Sequence, residues 1–448
     1  MKTWAATVVF CFLNSVILHA QQSFELSDCL AYALTNSPQL KSEKISQEKE
    51  TTTLYQNKSS FLPQIDAYVN YHNYFNDLPT YIFPQAEGSN LVGMPIDGPY
   101  PVQLGLPHNL NAGFEINQTI FDMKFFGNAE LDQHFQSYKD IKLSIAEEEI
   151  LYQVAVLYYQ VAINEERLDF LNMNLERLKR LRPIVKLQME QGFAKPTDLD
   201  KLVVKTSNLE SKKNKLESGI DQQIRYLKLM MGMEQTEEIS INFSKRNSEN
   251  ASIVEMEEAG HLSSRLLEEQ RQLNKMNAKK INADYYPKLQ AYAAFLFQAQ
   301  RDRLNFLQSN QDWYNIHQWG LKLSIPVLRG FEKKNKKEIS ELVNEQLSLG
   351  IEQKQVQSEL EYQNAVLEFE VAREEQTSQL DNVLLAEKMY KQSELGYEQG
   401  TMALMDFLDS EATLRESKMV YATSLLDTKL AELKILKSSG RLKDLVNQ

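Results

Sequence analysis

Hydrophobic residues fall on alternate positions in four places along this chain. From Gln64 to Phe75, Ile65, Ala67, Val69 and Tyr71 share one side, with Asp66, Asn70 and His72 on the other. Asn109 to Asn117 is cleaner, with Leu110, Ala112, Phe114 and Ile116 opposite Asn109, Asn111, Glu115 and Asn117. Leu289, Ala291, Ala293, Phe295 and Phe297 form a third set. Trp319, Leu321, Leu323 and Ile325, opposite Gln318, Gly320, Lys322 and Ser324, form a fourth. A period of two over about 9–12 residues fits strands long enough to cross a membrane at a tilt; one alone fits a half-buried soluble sheet better, and four together, behind an apolar leader and beside hydrophilic coiled coil, reverse that preference.

Between and after these strands the period changes to that of helices. No proline interrupts residues 125–182, and Leu151, Ala155, Tyr158 and Ala162 step by 4, 3 and 4. Leu168, Leu171, Leu175 and Leu178 continue that seam. Leu342, Leu349 and Val356 step by seven, as do Leu360 and Leu367. Such spacing predicts side-by-side helices. Some 58 residues at about 1.5 Å each give a rod of roughly 85–90 Å, longer than a globular core can bury. Gly192 and Gly400 each interrupt a helical pattern, which predicts a chain reversal in each half.

The two halves repeat. Phe61-Leu62-Pro63-Gln64-Ile65-Asp66-Ala67-Tyr68 returns as Tyr285-Tyr286-Pro287-Lys288-Leu289-Gln290-Ala291-Tyr292, and Gly113-Phe114-Glu115-Ile116 as Gly320-Leu321-Lys322-Leu323. Glu190-Gln191-Gly192 with Asp198 returns as Glu398-Gln399-Gly400 with Asp406. Ala33, Ser37 and Leu40 match Ala259, Ser263 and Leu266. Four blocks in one order predict a tandem duplication, residues 21–245 and 246–448, each reading helix, two strands and a helical hairpin, the two intertwined as one unit. The polar stretch 233–258, with a short strand expected at Ile239 to Phe243, reads as a connection or small subdomain.

Composition narrows the class. A net charge of -12 argues against nucleic acid as a partner. The mean hydropathy of -0.45 excludes a bundle of membrane helices. Six of the 12 prolines fall between Pro79 and Pro107, which predicts a long surface loop over 76–108, with a shorter counterpart at 301–312. Residues 1–20 read as a signal peptide: Lys2, an uncharged apolar run from Trp4 to Leu18, then Ala20. Its removal would take Cys11 and leave Cys29 alone, so packing rather than disulfides must hold the exported chain. The histidines (His19, His72, His108, His134, His261, His317) have no ligand spacing, and there is no phosphate loop or nucleophile motif. No catalytic residue, cofactor or metal is expected.

Taken together, the opening helix Leu26 to Leu40 with Asn36-Ser37-Pro38 and the strands headed by Pro63 and Pro287 resemble the TolC-like outer-membrane efflux proteins. So do the strand exits Gln118-Thr119-Ile120-Phe121-Asp122 and Ile325-Pro326-Val327-Leu328-Arg329-Gly330, and the turns at Gly192 and Gly400. The resemblance implies a mainly α fold with a β-barrel part. Each chain of a homotrimer gives four strands to one shared twelve-stranded barrel in outer-membrane lipid, and its antiparallel coiled-coil helices build a periplasmic α-barrel. The implied function is the passive exit duct of a tripartite efflux pump or type I secretion system, with a periplasmic adaptor and an inner-membrane pump (RND, ABC or similar) as partners. A periplasmic coiled-coil scaffold or adaptor without a pore is the alternative.

The resemblance also assigns a site. Asp406 and Asp409, three apart and so on one helix face, would form stacked carboxylate rings at the periplasmic entrance that favour cations. Tyr397 and Asp198 match positions that tie the closed tip by hydrogen bonds. Met402 stands where some members hold a cation, which puts that means of closure in doubt here. The turn residues Gly192, Phe193, Ala194, Lys195, Gly400, Thr401, Met402, Ala403 and Leu404 would meet the adaptor. Drug, metal, peptide and protein exporters share such a duct, so the exported substrate is not legible.

Overall fold

A computed structural model describes residues 22–75, 80–83, 100–103, 105–125, 128–243, 262–309 and 311–446. The expected leader with Cys11, much of the 76–108 loop and the part of the 233–258 connection beyond 243 lie outside the described residues. In chain order the elements are β1 (Gln22–Phe24), α1 (Leu26–Asn36), α2 (Pro38–Ser59), β2 (Gln64–Asn73), β3 (Thr80–Phe83), β4 (Tyr100–Gln103), β5 (His108–Phe121), α3 (Asn128–Glu190), α4 (Pro196–Met231), β6 (Ile239–Ile241), α5 (Leu262–Ala283), β7 (Lys288–Arg301), β8 (Tyr314–Ser324), α6 (Glu332–Glu398) and α7 (Leu404–Ser438). They sort into two compact units, each drawing on both halves of the sequence. A sheet unit comprises 47–137 and 269–348; a helical unit comprises 1–46, 138–268 and 349–448.

The sheet unit holds one antiparallel sheet in the order β2-β5-β7-β8. Its register decides what the four alternations mean together. Ile65 lies opposite Ile116, Ile116 opposite Ala293, and Ala293 opposite Trp319; Ala67, Phe114, Phe295 and His317 form the next row. Because side chains alternate strictly, this register puts the apolar sets of all four strands on one face. The other face carries Asp66 and Glu115, Asn111 and Gln298, and Gln290 and Lys322 as cross-strand neighbours. The apolar face is open: Val69 is 70% exposed, Leu321 62% and Trp319 82%. Among the described residues, strands β2 and β8 each pair on one side only. Strand β5 runs to Phe121, past the expected end, because it pairs with β7 up to Leu289 through an irregularity between Thr119 and Phe121.

The helical unit buries two clusters. In the first, Leu30 of α1 packs with Ile150, Leu151, Val154 and Tyr158 of α3, Leu227 of α4 and Leu433 of α7. Fully burying each such aliphatic side chain is worth roughly 1.5–3 kcal/mol. Strand β6 appears as Ile239–Ile241 and pairs in parallel with β1, so the start of the connection is part of the fold. The Tyr158 hydroxyl donates to Asn242 O at 2.8 Å beside it. Cys29 is fully buried here; burial, with a contribution from Asp28, pushes its thiol up to about 12, far from a reactive thiolate. In the second cluster Leu171, Leu175, Leu178 and Val185 of α3 meet Leu202 and Leu209 of α4, Ala386 and Tyr390 of α6, and Phe407, Leu408 and Leu414 of α7.

One expectation about the helices needs correction. The opening helix does not run from Leu26 to Leu40: Ser37, at φ -51 and ψ 125, separates α1 from α2, because the residue before a proline is disfavoured in the helical region and Pro38 suits a first helical position. Helix α3 carries Pro183 inside a run of 63 residues. An internal proline costs about 3 kcal/mol; Leu178 and Val185, seven apart and both buried in the second cluster, hold the helix on either side of it. The α3 seam is buried except at Leu168, which is half-buried, whereas the α6 positions are open within the chain. Leu342, Leu349, Val356, Leu360, Leu367 and Val371 are each more than half exposed. Among the described residues, nothing covers α6 at those positions to more than half.

Candidate functional site

The two helical reversals close in the same way. At the first, Gly192 N–H donates to Met189 O and the N–H groups of Phe193 and Ala194 both reach Gln188 O. At the second, Gly400 donates to Tyr397 O, and Thr401 and Met402 both reach Gly396 O. Each set satisfies carbonyls that the helix end leaves orphaned. It requires a left-handed residue, and Gly192 (φ 79) and Gly400 (φ 72) supply it. The following helices begin at Pro196 and Leu404, 208 residues apart like the two glycines.

The remaining predicted residues take several positions around these tips. Phe193 (82% exposed), Lys195, Thr401 and Ala403 are exposed; Ala194 and Met402 are half-buried. Leu404, expected at the surface, is buried instead. As the first residue of α7 it turns inward with Phe407 and Leu408, three and four positions on, into the second cluster. Asp198 accepts from Lys195 N–H at 3.2 Å and so closes the start of α4. Tyr397 lies flat on Phe407, ring centroids 5.2 Å apart, and donates to Gln188 Oε1 at 3.1 Å. Within the chain, then, Tyr397 bonds to the other hairpin through Gln188 and not through Asp198. Burial pushes the Tyr397 phenol above its ordinary pKa, opposed by the bond to Gln188.

Asp406 and Asp409 are both exposed on α7. Asp406 sits in its first turn, where a carboxylate is favoured by the helix dipole. Asp409 Oδ1 lies 3.0 Å from Lys205 Nζ of α4, with 70% of the Asp409 side chain exposed. An ion pair this exposed adds little stability, but it brings a cation beside one of the two carboxylates.

Sequence reasoning missed the group just above. Glu411 is only 3% exposed; Arg415 Nη1 lies 3.4 Å from its Oε2, and its Oε1 is buried without a hydrogen-bond partner. Burial raises its carboxyl above the ordinary glutamate range, opposed by Arg415, Lys205 and Arg177. A signal was present: Leu404, Phe407, Leu408, Glu411 and Leu414 are spaced as one buried stripe, with a carboxylate in the middle of it.

No family model matches the chain, and no curated relative does either. Solved structures do. The CmeC outer membrane channel of Campylobacter jejuni matches with a TM-score of 0.70 at 13% identity, over 93% of this chain and 85% of that one. The fold is that of the TolC-like outer-membrane channels. The MtrE outer membrane channel of Neisseria gonorrhoeae, in its open state, matches with a TM-score of 0.66 at 12% identity, over 93% and 88% of the two chains. The outer membrane protein VceC of Vibrio cholerae matches with a TM-score of 0.63 at 12% identity, over 93% and 96%. The resemblance read from the helix, strand and turn motifs therefore holds as a TolC-like fold. It is mainly helical, and among the described residues no helix is long and apolar enough to cross a membrane.

Proposed function

We propose that this chain is an outer-membrane exit duct for efflux, acting as a passive conduit from periplasm to exterior. The observation that carries the reading is the register of the sheet. Four strands align their apolar residues on one open face and their polar residues on the other, and among the described residues both edges are unpaired. An open edge is not tolerated in lipid, so such a sheet needs further strands to close it. Three copies sharing one twelve-stranded barrel would put the apolar face in the outer membrane and the polar face on a water-filled lumen. The exposed stripe from Leu342 to Val371 on α6 would then be the seam between copies in a periplasmic α-barrel. In this reading residues 21–245 and 246–448 are duplicated halves of one intertwined unit.

The duct would serve a tripartite efflux pump or a type I secretion system, energised by an inner-membrane pump through a periplasmic adaptor that meets the tips around Phe193, Lys195 and Ala403. Rings of Asp406 and Asp409 around the axis would favour cations at the entrance, the charge of Asp409 being tempered where Lys205 pairs with it. Fractionation and mass measurement in detergent test the duct: a trimer in the outer membrane is expected, and a soluble periplasmic monomer would refute it. Replacing Asp406 and Asp409 with Ala and recording bilayer conductance tests the rings; cation preference should fall severalfold, and unchanged selectivity would remove them from the account.

A further inference from the structure

A second site lies in the helical unit, away from the tips. Three helices line a groove of about 590 Å³. Helix α3 contributes Arg167 and Leu171, helix α4 contributes Lys212, Lys215, Leu216 and Gly219, and helix α7 contributes Arg415, Glu416, Met419, Val420 and Thr423. The spacings explain the convergence: 167 and 171, then 212, 215, 216 and 219, then 415, 416, 419, 420 and 423 each fall on one helix face. The result combines an apolar floor of leucine, methionine and valine with four cations and a single carboxylate. That balance is unusual in a chain with a net charge of -12.

The cations are also largely uncommitted. Among the described residues neither Lys212 nor Lys215 has an ion-pair partner, whereas their neighbour Lys213 reaches Glu217 at 3.3 Å. Arg167 donates from Nη1 to Asn164 Oδ1 at 3.1 Å, and its Nε is buried with no partner. Arg415 alone faces a carboxylate, that of Glu411. Gly219 adds an independent observation. Glycine is unfavourable in a helix interior, yet a β-carbon built there meets nothing within 4 Å. Packing within the chain therefore does not require the glycine, and its lack of a side chain leaves the groove open against the α4 backbone.

We infer that this groove binds an anionic amphiphile, a small molecule with one acidic headgroup on a compact apolar body. Its volume is that of a small-molecule pocket; a docked helix would need a longer track. The headgroup would pair with Lys212, Lys215 and Arg167, and the apolar body would lie on Leu171, Leu216 and Met419. The groove shares no residue with the exposed α6 stripe.

The test is a fluorescence titration of the full-length protein in lipid nanodiscs, with empty discs subtracted. The probe is 1-anilinonaphthalene-8-sulfonate, and its uncharged parent N-phenyl-1-naphthylamine is the control. The sulfonate should bind saturably at one site per chain, weaken as salt rises, and bind at least tenfold more weakly to a Lys212→Glu, Lys215→Glu variant. The neutral parent should change less than twofold on that charge reversal. Gly219→Leu should weaken both probes about tenfold by filling the groove. Both lysines are exposed and Gly219→Leu favours the helix, so circular dichroism should show unchanged helix content in all variants. No saturable sulfonate binding above empty discs, a charge reversal that leaves its affinity within twofold, or equal binding of the two probes would each overturn the assignment. The readout does not depend on conduction, so failure here leaves the duct reading untouched.

Discussion

Gly192, Gly232 and Gly400 have nearly the same backbone conformation, with φ of 79, 77 and 72, and very different surroundings. A β-carbon built on Gly192 or Gly400 meets nothing within 4 Å. On Gly232, at the end of α4, it would overlap the carbonyl oxygen of Asn36 and lie 2.8 Å from Asn36 C and 2.9 Å from Pro38 Cδ. These atoms belong to the break between α1 and α2 and cannot swing away as a flexible side chain would. Replacing either tip glycine with alanine should therefore cost only the left-handed conformation, about 1–2 kcal/mol. Gly232→Ala should cost that much plus an overpacking strain of about 1–3 kcal/mol, for a total of about 2–5 kcal/mol. Urea unfolding of the full chain in detergent, followed by helix circular dichroism, compares the three variants directly. If Gly232→Ala and Gly192→Ala shift the free energy by the same amount, to within about 0.5 kcal/mol, the packing of α4 against the Asn36-Ser37-Pro38 break is not what the structure depends on.

Glu411→Gln should stabilise the chain near neutral pH. Its carboxyl is held above the ordinary range by burial, so the folded state prefers the protonated form. The stability this gives is full below the ordinary glutamate pKa and is lost as pH rises through the folded value. Unfolding midpoints should therefore separate above that value and converge below it; a gain that persists unchanged at about pH 3 would contradict the assignment. Trp319→Lys, midway along β8 on the apolar face, should destabilise the membrane-inserted protein by about 2–4 kcal/mol, while Gln318→Lys on the polar face should change it little; equal effects in lipid-vesicle unfolding would mean the faces are misassigned. Leu349→Glu with Val356→Glu should reduce the mass measured in detergent from that of an assembly to that of one chain, and an unchanged mass would exclude the α6 stripe as the seam.

Much of the fold is legible in the sequence because its determinants are local and periodic. The alternation at Leu110, Ala112, Phe114 and Ile116 marks a strand whatever it pairs with, and Leu171, Leu175 and Leu178 mark a helix seam by spacing alone. The glycines at 192 and 400 mark reversals because few other residues take that backbone conformation. The turns themselves were legible for the same reason, whereas the matched closing bonds to Gln188 O and Gly396 O are seen only in the structure. Leu404 was misplaced because a residue just past a turn looks exposed until the helix phase is known. Pro183 is tolerated inside α3 because its local cost is outweighed by the burial of Leu178 and Val185, which depends on other helices.

What the sequence by itself determined is the main inventory: the four long strands, the long helices, where the chain reverses, and which side of each long strand is apolar; the short strands β1, β3 and β4 and the break at Ser37 were not legible. The tertiary structure decided how those sides combine. Only the register of β2, β5, β7 and β8 puts four apolar faces on one side and leaves two edges unpaired. Only packing leaves the α6 stripe bare while burying that of α3, seals Glu411 from water, and converges Arg167, Lys212 and Arg415 on one groove. Periodicity is set by the backbone a few residues at a time, whereas burial and charge compensation depend on neighbours far away along the chain.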